Sequence, residues 1–250
     1  ASHPAFSNPI GLMNFITQLR ELSHGKPVGF KLCIGDKNEF LAITKAMIET
    51  GVTPDFIVVD GAEGGTGAAP LEFTDHIGMP LRDGLSFVHS TLTGLGLREN
   101  IKIGAAGKIT SAFDMVRVMA LGADWCNAAR GFMFAIGCIQ SQSCHTDQCP
   151  VGVATQDKLR QRALIVPDKA ERVANFHKNT LHALAEVIGA SGLMHPSDIR
   201  ASQLHRRISP TQTMNFAELY PVMNEGELLS GDSDPALQKQ WKLVSAEHFG

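Results

Sequence analysis

Three of the chain's five cysteines fall within twelve residues, Cys138-Ile-Gln-Ser-Gln-Ser-Cys144-His-Thr-Asp-Gln-Cys149, and Pro150 closes the run. The spacing is C-x5-C-x4-C. Thiolates ligate soft metals and iron–sulfur clusters, so cysteines grouped this tightly point to a chemical use. Three thiolates with no obvious fourth suit a cluster that takes one ligand per iron. A structural zinc site is a poorer match, because such sites use four ligands in closer pairs and His145 directly follows a candidate ligand. A disulfide with a spare thiol needs an oxidising compartment, which neither the odd cysteine count nor the lack of a signal-peptide pattern favours. Unconnected buried thiols are the blandest alternative, since free cysteine is often a small core residue. The pattern favours the iron–sulfur reading and leaves the other three open.

Four further places put charge or glycine at the ends of apolar runs. Lys31 stands between Phe30 and Leu32. A lysine in a buried strand is costly unless it meets an anion or projects into a polar site; snorkelling from an edge strand is the alternative. Asp60 and Glu63 flank a loop in which Gly61, Gly64, Gly65 and Gly67 permit close backbone approach to a ligand. An ordinary crossover loop would look similar. Gly104-Ala-Ala-Gly-Lys108 comes before a helix start, where amides and the helix dipole can hold phosphate and Lys108 adds charge. It is neither a dinucleotide fingerprint nor a Walker loop, and a simple tight turn is the competing reading. Ala128-Ala-Arg-Gly131 ends the next apolar run. Gly107, Lys108, Ala129 and Arg130 thus resemble a phosphate site built on two successive strand ends of a barrel.

The elements that must position these groups alternate between two periods. Ile10, Met13, Ile16, Leu19 and Leu22 recur at helical spacing, with Asn8-Pro9 as cap and Gly25 as stop. Residues 27–34 read as a buried strand, 36–50 as a helix and 55–60 as a second strand. Residues 80–97 read as a helix weakened by Gly84, Gly94 and Gly96. Residues 101–105 form a third strand, Ser111 and Asp114 a capping box, and 123–129 a short fourth strand. A long helix spans 167–189, packing over the end of the sheet. Short helices are expected near Pro196 and Ala217, and the last thirty residues are polar and weakly patterned. The alternation implies parallel strands with crossover helices, and ligand loops at their carboxyl ends.

Composition narrows the function classes. The chain is 44% hydrophobic and 19% charged over 250 residues, as expected of a globular protein with a sizeable core. A net charge of -3 gives no electrostatic case for nucleic acid or an anionic membrane. No apolar run approaches the length of a transmembrane helix. The expected compartment is a reducing cytoplasm. The first residue is Ala1, not methionine, so a processed or cut chain is expected.

Taken together, Phe30-Lys-Leu32, the Asp60–Pro70 loop and Cys138 to Gln156 resemble the FMN-binding synthase domain of glutamate synthase and its shorter FMN-binding relatives. The likeness runs from about Lys26 to Gly189. It implies a parallel (β/α) barrel of the TIM type, represented by strands five to eight, with an iron–sulfur loop and a helical carboxyl-terminal extension. The implied divisions are a half-barrel over 1–137, a cluster loop over 138–156, and the extension over 157–250. Lys31 matches the lysine near the flavin ring and the 2-oxo acid. Asp60, Gly61, Glu63, Gly64, Gly65 and Gly67 fall in the segment beside the flavin, and Gly107, Lys108, Ala129 and Arg130 in those holding its phosphate. Cys138, Cys144 and Cys149 match the ligands of a 3Fe–4S cluster.

The implied reaction is FMN-dependent conversion of 2-oxoglutarate and ammonia to L-glutamate, fed by an electron-donor protein or subunit. The sequence contains no glutaminase domain with an amino-terminal cysteine, so ammonia is not expected to be made from glutamine here. Arg130 stands where many relatives have a small residue. Half a barrel has open edges, which implies an oligomer or a missing amino-terminal half. Two alternatives stay open: a non-catalytic electron-transfer or scaffold piece completed by a partner chain, and a different FMN-dependent barrel oxidoreductase.

Overall fold

Ordinary start signals set the helices. The computed structural model describes residues 3–63, 71–74 and 76–249. Helix α1 (Pro9–Leu22) begins with proline, and the Asn8 side chain accepts a hydrogen bond from Gly11 N. Strand β1 (Gly29–Cys33) leads to α2 (Lys37–Thr50), capped by Asp36 and ended at Gly51 in the left-handed region. Strand β2 (Phe56–Asp60) is followed by a single helical turn, α3 (Leu71–Thr74), and then α4 (Leu81–Gly94). Strand β3 (Lys102–Ala106) feeds α5 (Ala112–Ala120), which carries the expected Ser111/Asp114 capping box. Strand β4 is only Trp125–Asn127, shorter than the expected 123–129, and a short α6 (Arg130–Ala135) that the sequence reading did not include follows it.

The four strands are parallel in the order β1-β2-β3-β4, with β1 and β4 at the edges. Period-two alternation divides them into two faces. Ile57, Val59, Ile103 and Ala105 point outward and are fully buried beneath the helices, in one cluster with Met13, Ile16, Phe40, Met47, Leu85 and Leu92. The opposite face carries Gly29, Lys31, Cys33, Val58, Asp60, Gly104, Ala106, Trp125 and Asn127. Two glycines are required there. A side chain at Gly29 would strike Phe56, and one at Gly104 would come within 2.5 Å of the Trp125 indole. Phe56 and Trp125 meet edge to face at 5.9 Å and fill the amino-terminal half of this face.

Beyond the cysteine segment, a turn of helix, α7 (Lys158–Gln161), precedes the 25-residue α8 (Val166–Ala190). Helix α8 lies along α5 and α6, where Leu184 and Ile188 join Ala112, Val116 and Ile199 in a second buried cluster. It therefore extends the helix layer. The rest of the chain is more ordered than its polar composition implied. It forms a hairpin of β5 (His205–Ser209) and β6 (Gln212–Asn215), then α9 (Phe216–Leu219), α10 (Glu227–Ser230) and α11 (Pro235–Leu243). This segment folds back on the outer helices. Leu228 packs with Leu41 and Leu95, Lys45 Nζ donates to the carbonyls of Trp241 and Val244, and Ile10 N donates to Ala246 O. The short helix expected near Ala217 is α9, and these long-range partners explain why local periodicity missed the hairpin, α10 and α11.

Two aspartates secure the amino-terminal ends of the strands. Asp55 accepts from Val28 N and Arg20, tying α1 to the starts of β1 and β2. Burial raises its pKa, but those donors outweigh burial and hold it below its ordinary value. Asp124 accepts from Ile103 N and from Arg98 at 2.9 Å. Arg98 Nε also donates to His89 Nδ1 at 3.0 Å, which requires a neutral imidazole. Burial first, then Arg98, lowers the His89 pKa from 6.5 to about 4, against the opposing pull of Asp124.

Between these two values the unfolded chain binds a proton that the folded chain refuses, so stability rises with pH. Urea midpoints should therefore be highest above pH 6.5 and fall toward pH 4, and His89→Gln should remove most of that slope. Gly104→Ala should cost about 1–3 kcal/mol in the same assay through overpacking against Trp125.

Candidate functional site

The carboxyl ends of the four strands bring together most of the strand-end residues singled out from sequence. Lys31 is not buried. Because β1 is an edge strand, its side chain is 57% exposed, and Nζ pairs with Asp60 Oδ2 at 2.6 Å. Cys33 lies on the same face of β1, opposite Asp60 in register. Its thiol is pushed up first by burial and then by Asp60, so it stays neutral. Across the sheet, Asn127 Oδ1 accepts from Trp125 Nε1 at 3.2 Å. Cys33 and Asn127 were missed in the sequence, although alternation along β1 and β4 places them on the face of Lys31.

The first ligand loop is anchored by close backbone contact. Gly61 N donates to Ala106 O, Ala62 N to Met79 O, and Met79 N to Ile34 O. The segment entering α4 thus threads between the ends of β1 and β2. Glu63 Oε1 accepts from Leu81 N at 2.7 Å and caps α4, whose own N-cap residue, Pro80, makes no side-chain cap bond. Glu63 Oε2 is buried without a hydrogen-bond partner. A Cβ at Gly61 would fall on Glu63 Oε2 and within 2.7 Å of Leu81 N, and one at Gly107 would lie 3.2 Å from that same oxygen. Gly64, Gly65 and Gly67 lie outside the described residues.

Gly107 has φ +146° and Lys108 +46°, both in the region that disfavours side chains. Such strain is retained where surrounding structure enforces it, commonly at ligand clamps. Beside this turn is a cleft of about 120 Å³ lined by Glu63, Arg82, Lys108, Asp114 and Arg117, among others. The amides just before the following helix are already engaged, because Asp114 accepts from Thr110 N and Ser111 N and also pairs with Arg117. Ala129 is the N-cap of α6 and Arg130 its first residue, just past the end of β4.

The cysteine segment is locally braced. Cys138 N donates to Met133 O at the end of α6. Gln140, Gln142 and Asp147 all have left-handed backbones. Asp147 accepts from Gln156 N and Thr155 Oγ1, joining the two ends of the cysteine-to-Thr155 turn. Cys149 is 5% exposed. Burial alone would raise its pKa, but the nearby backbone amides of Ala154, Val151, Val153 and Gly152 hold it below the ordinary thiol value. Those amides favour the thiolate relative to an ordinary cysteine. Cys138 and Cys144 are half-buried, and all five cysteines are free. Among the described residues no three His, Cys, Asp or Glu side chains are gathered closely enough to hold a metal ion.

Comparison with known proteins places this arrangement. A family model described as a conserved region in glutamate synthase matches residues 1–194. The glutamate synthase large subunit-like protein YerD of Bacillus subtilis is 42% identical over 191 residues, 76% of this chain and 36% of that protein. An archaeal-type NADPH glutamate synthase of Thermotoga neapolitana is 33% identical over 193 residues, 77% of this chain and 37% of that one. The chain belongs to the glutamate synthase family. It spans little more than a third of the length of these relatives.

Glu63 is the joint between the glycine loop and α4. Replacing it with alanine removes the α4 cap, and a loss of about 1 kcal/mol is expected from urea denaturation. Glu63→Gln, which keeps an acceptor for Leu81 N, should lose less.

Proposed function

We propose that the chain is the carboxyl-terminal half of a glutamate synthase-type catalytic domain, an oxidoreductase that converts 2-oxoglutarate and ammonia to L-glutamate. The family match, which takes in the cysteine segment, carries this reading. The parallel order β1-β2-β3-β4 with two edges fits strands five to eight of a (β/α)8 barrel, closed by strands lying alongside β1 and β4. The free thiols fit a reducing cytoplasm. Among the described residues no helix is long and apolar enough to cross a membrane.

The cofactors of this reading are FMN and a 3Fe–4S cluster, which when bound supply hydride transfer and one-electron relay from a donor protein or subunit. The residues suit FMN in two ways. Glu63 Oε2 is a buried acceptor without a partner. The strained Gly107–Lys108 turn, with Ala129 and Arg130 on the next strand end, offers a cationic end for the phosphate. Lys31, with Asp60 beside it, presents an ammonium to a 2-oxo acid carboxylate and orients it. Cys138, Cys144 and Cys149 would hold the cluster. The amides around Cys149 suit a thiolate ligand, and Cys138 and Cys144 must close toward it.

The open sheet favours a second reading in which the same site acts only when a partner chain completes the barrel. Anaerobic purification with a visible spectrum and iron, sulfide and flavin assays tests the proposal. About three iron and about four sulfide per chain are expected, with FMN, and Cys144→Ala should abolish the cluster absorbance while leaving the fold intact. Iron content unchanged in that variant would sink the cluster assignment, and a chain without flavin would sink the catalytic reading.

A further inference from the structure

Lys31 and Asp60 are on neighbouring strands but not at opposite positions. In register Asp60 faces Cys33, two residues beyond Lys31 toward the carboxyl end of β1. The lysine stem must therefore lean toward the ligand end of the sheet to bring Nζ within 2.6 Å of Asp60 Oδ2. The pair is open to solvent, with Lys31 57% and Asp60 30% exposed, so burial does not lock the two charges together. The neighbouring Cys33 adds no competing charge while its thiol remains protonated. An arriving anion meets an ammonium already placed at the strand ends and already neutralised.

We propose that Asp60 is a positioning residue that holds Lys31 at the carboxyl end of the sheet and competes with the carboxylate of the incoming 2-oxo acid for its ammonium. Binding then exchanges one ion pair for another. Asp60 both aims the lysine and weakens its hold on the substrate, which keeps the site from being trapped by adventitious anions. This rests on the reading that Lys31 faces an anionic substrate.

The test is calorimetric titration of the full chain with 2-oxoglutarate, in the parent protein and in Asp60→Asn, Lys31→Met and the double variant. Circular dichroism checks each fold, and Asp60→Ser serves if the asparagine variant does not fold. Removing the competitor should tighten binding roughly two- to fivefold, the range expected of so exposed an ion pair. Lys31→Met should weaken binding, and adding Asp60→Asn to it should change nothing further. A purely structural role for Asp60 would not increase affinity. Unchanged or weaker binding in Asp60→Asn, an equal gain without Lys31, or no binding in any form overturns the proposal. Flavin and iron assayed on the same samples separate the two ideas. Cofactors without the exchange refute this proposal alone, and the exchange without cofactors refutes the catalytic reading alone.

Discussion

Burial of one face of the central strands governs this molecule. Ile57 and Val59 on β2, and Ile103 and Ala105 on β3, have no solvent exposure. They can be covered only if the strands lie in one register, because a slip of one residue would turn every apolar side chain to the opposite face. The same constraint sends Lys31, Asp60, Gly104, Trp125 and Asn127 to the other face. The chemistry of the strand ends follows from the packing of the core, since the residues that face the ligand end alternate with those that face the helices.

The inner face is shaped by what its glycines leave out. Gly29 and Gly104 make room for Phe56 and Trp125, which fill the amino-terminal half of this face. Lys31, Asp60 and Asn127 make the carboxyl ends of this face polar. There Gly61 and Gly107 let the loop after β2, the loop after β3 and the start of α4 approach so closely that Glu63 bridges them. The opposite ends of the strands have a different character. Asp55 and Asp124 are saturated with backbone amides and arginines, an arrangement suited to stability and not to binding.

The two candidate centres differ in what holds them. The strand-end site draws on residues from β1 to β4, and its geometry belongs to the sheet. The cysteine loop is almost wholly local. Its left-handed residues, its Asp147 bonds and the amides around Cys149 all lie between Cys138 and Gln156. A local loop can keep a thiolate-favouring environment at Cys149 without help from the barrel face. Residues 195–249, beyond the family match, reinforce the helix layer through Lys45, Leu41 and Ser90, on the side of the sheet away from Lys31.

By itself the sequence determined the order of the four parallel strands and the helices between them, the caps at Asn8 and Ser111, and the family, because each of these is written in short-range spacing. It also marked Lys31, Asp60, Glu63, Gly107 and the three cysteines. Only the tertiary structure decided that Lys31 is an exposed partner of Asp60 and not a buried charge. It alone assigned Glu63 to the α4 cap and paired Asn127 with Trp125. It also ordered the polar carboxyl-terminal segment against α1, α2 and α4. The physical reason is common to all of these. Partner choice among polar groups depends on which side chains the fold brings within hydrogen-bonding distance, and periodicity along the chain carries no information about partners far away in sequence.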